Sequence, residues 1–105
     1  MLDLPPPARL AHLLTGFWNS QAVYAAAKLD LGGLLKDGPR NAEELAQATG
    51  THALSLYRML RMLAASGVFH EDAERRFSLT PVGECLRDDV PGSLRAMAAN
   101  PARMR

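Results

Sequence analysis

The chain has 105 residues, 48% of them hydrophobic, and a formal net charge of +1. That size and balance suit one globular domain and supply no strong field to draw in nucleic acid or an anionic membrane surface. The single cysteine, Cys85, excludes an internal disulfide framework, and no run of 18 apolar residues is present to span a bilayer.

The opening stretch, MLDLPPPARL, has neither the basic segment nor the small-residue cleavage site of a secretory signal. Together with the lone thiol this predicts a cytoplasmic protein. Residues 1–9 read as an N-terminal extension, with Pro5-Pro6-Pro7 extended and Pro7 acceptable in the first turn of a helix. Leu10, Leu13, Leu14 and Phe17 then recur at helical spacing. Gly16 is a predicted weak point in that helix, marking a break or a close contact, and a second helix is expected from about Phe17 to Leu29. Gly32-Gly33 is expected to end it, and Gly38-Pro39 to form a turn.

NAEELAQATG carries strong helix punctuation: Asn41 as cap, Glu44 three residues later as in a capping box, and Gly50 as the stop. THALSLYRMLRMLAASG is the next helix, beginning after Thr51 and ending at Gly67. Only Gly50 and Thr51 separate the two, which predicts a tight helix-turn-helix. Val68-Phe69 and Phe77, Leu79 and Thr80 flank the charged stretch EDAERR and predict a short hairpin, a wing. Thr80 followed by Pro81 predicts another capped helix, TPVGECLRDD, and Ser93 is placed to cap a last one that Pro101 limits. The expected fold is therefore mainly α: a winged-helix-like domain over residues 10–99, with extra N-terminal helices and one short β-hairpin.

The sequence offers no catalytic apparatus. No glycine-rich phosphate loop follows a strand, and His12, His52 and His70 lack an i, i+4 partner, so surface or capping roles are expected rather than metal ligation. Cys85 lies in the apolar stretch VGECL and reads as a small buried thiol. Glu43-Glu44 sits in the first turn of a helix, where carboxylates favour the dipole. No catalytic, cofactor-binding or metal-ligating residue is assigned.

Two binding readings remain. In a helix-turn-helix the second helix reads the major groove, and here it offers Arg58 and Arg61 with no acid. Against a DNA-binding regulator stand Leu54, Met59 and Met62, which widen the apolar stripe of that helix, and Glu71, Asp72 and Glu74 near the wing tip, which would repel phosphate. The other reading is protein association. Phe17, Trp18, Val23, Tyr24 and Leu29 are interleaved with Ala22, Ala25, Ala26 and Ala27, so this segment is apolar or small on nearly every side. A small domain buries one face of such a helix; an intertwined dimer would bury the rest.

TGFWNSQAVYAAAKLDLGGLL, GPRNAEELAQATG, LYRMLRMLAASGVF and FSLTPVGECLRDD occur in an order that resembles one family. From about Leu10 to Ala99 the chain resembles the N-terminal dimerisation domain of S-adenosyl-L-methionine-dependent O-methyltransferases. These include plant phenylpropanoid, acetylserotonin and bacterial aromatic-polyketide enzymes. The resemblance implies a homodimer joined through the first helices, which also roof a pocket for a small aromatic acceptor. It places Phe17, Trp18, Gln21 and Tyr24 at the substrate cap or dimer interface, and Leu10, Leu13, Leu14 and Val23 at the interface. It implies S-adenosyl-L-methionine as cofactor of the parent enzyme, held with the catalytic base in a following Rossmann-like domain that this sequence does not contain. Residues 100–105 then read as the start of a linker toward it. The sequence departs from the family at LDLGGLL, where the family more often has a glycine after the first leucine and an acid before the last ones; Asp30 and Gly33 stand there instead.

Overall fold

A computed structural model describes residues 5–99. Helix α1 spans Pro6–Lys28, α2 Leu31–Leu35, α3 Ala42–Thr49, α4 Ala53–Ala65, α5 Pro81–Glu84 and α6 Arg95–Ala99. Strands β1 (Arg40–Asn41), β2 (Phe69–Glu71) and β3 (Arg76–Leu79) form an antiparallel sheet in the order β1-β3-β2. The mainly helical, winged-helix-like expectation holds, with one added strand. The wing hairpin pairs Phe69 with Leu79 and Glu71 with Phe77, and Arg40 pairs with Phe77 from the other side.

The predicted break at Gly16 is absent: α1 runs unbroken through it for 23 residues. A Cβ at Gly16 would meet nothing within 4 Å, so the glycine there serves no close packing in this chain. Gly32 and Gly33 do not terminate a helix either; they lie inside α2. The reversal falls earlier, at Leu29-Asp30, where Asp30 takes a left-handed conformation (φ 55°) and accepts a hydrogen bond from the Gly33 N–H. Gly32 is there for closeness to backbone, while Gly33 faces only the movable end of the Asp30 side chain. A Cβ on Gly32 would lie 2.7 Å from the Leu86 backbone, and one on Gly33 would lie 2.6 Å from the Asp30 carboxylate.

The predicted caps are present. Asn41 and Glu44 form the capping box, with bonds of 2.8 and 3.0 Å, and Gly50 ends α3 at φ 69°. His52, expected in a surface or capping role, accepts from the Ser55 N–H at the start of α4. Thr80 accepts from the Gly83 N–H and donates to Gly67 and Val68 carbonyls, tying α5 to the wing. Gly83 is buried directly against the Val68 carbonyl, where no side chain fits. Helix α5 is shorter than expected, four residues, and Leu86 turns back into the core. Arg95 N–H donates to Ser93 Oγ at the start of α6; Pro101 lies outside the described residues.

The core is built from Leu31, Leu45, Leu60, Leu63, Phe69 and Phe77, closed by Ala22, Ala26 and Ala27 of α1. Tyr57 packs edge-on against Phe77, with centroids 5.9 Å apart, and its hydroxyl donates to Glu71 at 2.8 Å. That bond locks α4 to the wing. Arg95 closes the far end: its Nε donates to the Ala27 carbonyl at 2.9 Å and its Nη1 to Asp88 at 2.6 Å. A cation at this C-terminus of α1 also suits the helix dipole.

Candidate functional site

Helix α1 is about 35 Å long at 1.5 Å per residue, yet only its last turns are packed. Ala22, Ala26 and Ala27 are buried, and α1 packs on α4 and α6 through this small-residue stretch. Every residue from Arg9 to Trp18 is exposed. That half contains Leu10, Leu13, Leu14, Phe17 and Trp18, all large apolar side chains left in water; Leu13 is 69% exposed. Leu10, Leu14, Phe17, Gln21 and Tyr24 recur at intervals of four, three, four and three, the repeat by which one helix presents a seam to another. The sequence-predicted residues fall on this outward side of the helix, except Val23. Val23 is half-buried and packs against the chain's own core.

Lys28 sits over the Tyr24 ring at 5.7 Å, holding the ring near the end of the seam. Asn19 lies on the inward side, and its Oδ1 is buried with no hydrogen-bond partner among the described residues. Beside the seam, between α1 and α4, runs an apolar groove of about 380 Å³ lined by Trp18, Gln21, Ala22, Arg58, Met59 and Met62. It adjoins a second, of about 500 Å³, lined by Leu54, Tyr57, Arg58, Arg61 and Met62. Sequence reasoning noted the two methionines and Leu54 only as obstacles to groove reading in DNA. Met59 is half-buried and packs against the core, whereas Leu54 and Met62 are exposed, and their position outside the core stripe of α4 was the signal that they serve another surface.

The charges near α4 are largely committed to the wing. Arg61 pairs with Glu71 at 3.4 Å and lies over the Tyr57 ring. Asp72 takes the Arg76 and Glu74 backbone N–H groups and the Arg76 guanidinium. These bonds, the Arg76 backbone N–H foremost, hold its carboxyl below the ordinary value. Among the described residues no three His, Cys, Asp or Glu cluster to hold a metal. Cys85 is half-buried rather than sealed in the core. The glycines whose added Cβ would clash, Gly32, Gly33 and Gly83, face this chain's own atoms, so none opens a cradle for a nucleoside cofactor. No helix of the described residues is long and apolar enough to cross a membrane.

A family model described as the O-methyltransferase dimerisation domain matches residues 11–89. The chain belongs to this family. This dimerisation domain is 41% identical, over 90% of its length, to a phenazine O-methyltransferase of Lysobacter antibioticus, of which it covers 28%. It is also similar to the crystal structure of an N,N-8-amino-8-demethyl-D-riboflavin dimethyltransferase from Streptomyces davawensis. That likeness has a TM-score of 0.83 and 36% identity, over 96% of this chain and 31% of that one. A third likeness is to an O-methyltransferase from neocarzinostatin biosynthesis, solved with S-adenosylmethionine and 2-hydroxy-5-methyl naphthoic acid. Its TM-score is 0.72 at 41% identity, over 76% of this chain and 25% of that one. The chain thus spans about a quarter to a third of the length of these relatives.

Proposed function

We propose that this domain joins two subunits of an S-adenosyl-L-methionine-dependent O-methyltransferase and caps the pocket for a small aromatic acceptor. The observation that carries the reading is the outward half of α1, whose five large apolar side chains Leu10, Leu13, Leu14, Phe17 and Trp18 are left uncovered by their own chain. An exposed apolar surface of that extent marks an association site. Family membership supports a second copy of the same chain as the occupant, hence a homodimer.

The parent enzyme would transfer a methyl group from the cofactor to a hydroxyl of the acceptor. The cofactor and the base belong outside residues 5–99, which do not fit them. Phe17, Trp18, Gln21 and Tyr24 would contribute a rigid apolar wall and one amide, excluding water from the acceptor and orienting its ring. The relatives bound to or named for aromatic substrates support the acceptor class. The lone thiol fits a cytoplasmic setting.

Sedimentation equilibrium tests the association. The wild-type chain is expected to be a dimer, and Phe17→Asp a monomer with an unchanged far-ultraviolet circular dichroism spectrum. A wild-type chain that stays monomeric at every concentration reached would overturn the reading.

A further inference from the structure

Helix α6 has little to hold it by its own means. It has five residues, too few for a helix to stand alone, and none of them is buried. It nevertheless lies along α1, with Ala98 and Ala99 half-buried against the core. Arg95 supplies the fastening. Its Nε donates to the Ala27 carbonyl at 2.9 Å and stands 3.4 Å from Asp30 Oδ1, while its Nη1 donates to Asp88 at 2.6 Å. One guanidinium fork thus ties α6 to the end of α1, to the cap of α2 and to the turn after α5.

The surroundings bring those partners to one corner. Gly32 has no Cβ, so the backbone at Leu86 closes on α2, and Asp88 follows two residues later. Asp30 holds its left-handed backbone (φ 55°), and its carboxylate faces both the Gly33 N–H and Arg95. The Ala27 carbonyl accepts twice, from the Asp30 N–H and from Arg95. Just before α6 the chain turns at Pro91-Gly92, where Gly92 takes φ 80° and a Cβ would meet nothing within 4 Å. The backbone adds one tie, from the Leu94 N–H to the Cys85 carbonyl at 2.8 Å.

We infer that Arg95 is a latch that sets the direction in which the chain leaves the domain at Ala99. With the fork seated, α6 moves as one body with α1. With it unseated, residues 93–99 swing from the Pro91-Gly92 turn while the rest of the fold stays intact. The Arg95 side chain is 25% exposed and that of Asp88 63%, so the latch opens into solvent without breaching the core. A lysine is a point charge with no fork and does not hold the Ala27 carbonyl and Asp88 at once. All four partners belong to one copy, so the inference stands apart from the dimer reading.

Amide hydrogen exchange on the 105-residue chain tests it. Arg95→Ala should speed exchange of the Leu94 and Ala98 N–H groups at least tenfold. The Val68 N–H, bonded to the Leu63 carbonyl, should stay within twofold of wild type. Asp88→Asn should give a smaller rise, and Arg95→Lys should resemble Arg95→Ala. A nitroxide on Met97→Cys in the Cys85→Ser chain should broaden amides in the last turns of α1, and adding Arg95→Ala should remove most of that broadening. Unchanged exchange in Arg95→Ala, or full rescue by lysine, would overturn the latch. So would a rise at Val68 as large as that at Ala98, which would make Arg95 a general support of the fold. If Arg95→Ala does not fold, Asp88→Asn decides: a rise at Ala98 without one at Val68 upholds the latch, and any other pattern overturns it.

Discussion

Trp18 separates folding from association. Its ring is 54% exposed in one copy, so about 130 Å² of a side chain of roughly 250 Å² remains to be covered. At about 25 cal/mol per Å², covering it is worth about 3 kcal/mol, and a two-fold dimer covers it twice. Association returns only part of such a sum, because ordering and desolvation oppose it. Trp18→Ala should therefore weaken the dimer by at least about a hundredfold, with an upper bound near 10⁴-fold at 1.4 kcal/mol per tenfold. Folding of a single copy should change far less. The contrast is Leu60→Ala: Leu60 is fully buried, and truncation should cost about 2–5 kcal/mol of folding stability at any concentration. The assay is urea unfolding followed by circular dichroism over a hundredfold range of protein, paired with sedimentation equilibrium. The Trp18→Ala midpoint should converge on wild type on dilution. A concentration-independent loss as large as that of Leu60→Ala, with an unchanged dimer constant, would refute the argument.

Gly16→Ala should stabilise the single copy by about 0.5–1 kcal/mol, since the added Cβ meets nothing of its own chain within 4 Å and glycine weakens a helix interior; thermal melts of the dilute protein decide it. Gly33→Asp should destabilise, because its Cβ would sit 2.6 Å from the Asp30 carboxylate, and adding Asp30→Gly should recover about 1 kcal/mol or more in a double-mutant cycle. Asp72 has a folded value lowered from 3.8, so its contribution to wing stability is whole above 3.8 and is lost as pH falls through the lower folded value. Amide chemical shifts of Glu74 and Arg76 should follow that loss on acid titration, and Asp72→Asn should abolish it.

Helix ends were legible because their chemistry is local. Asn41 with Glu44, Gly50, and Thr80 with Pro81 all act over three or four residues, and each stands in the structure as written in the sequence. The glycines were misread for the opposite reason. Gly32 and Gly33 look like a stop in sequence, but they are fixed by Leu86 and by the Asp30 carboxylate. The approach of Leu86, fifty-four positions away, leaves no local trace. Asp30 holds the left-handed position that glycine would favour, and its carboxylate occupies the space a side chain at Gly33 would need. Strand β1 was missed because two residues carry no alternation to detect.

The seam on α1 was visible as an excess: more apolar surface than a chain this small can cover. The resemblance groups Val23 with Leu10, Leu13 and Leu14 at the interface; in the structure Val23 is half-buried and packs against the chain's own core, while the three leucines are exposed. The groove was invisible for a deeper reason. Trp18 and Met62 lie forty-four positions apart, and only the packing of α1 on α4 through Ala22 and its small neighbours brings them to one surface. The same packing explains why a winged-helix arrangement need not read DNA. A groove-reading helix keeps its outward side polar and its cations free; here that side holds Leu54 and Met62, and of its two arginines Arg61 pairs with Glu71 on the wing while Arg58 has no ion pair among the described residues. What the scaffold leaves uncovered there is apolar and continuous with the exposed side of α1.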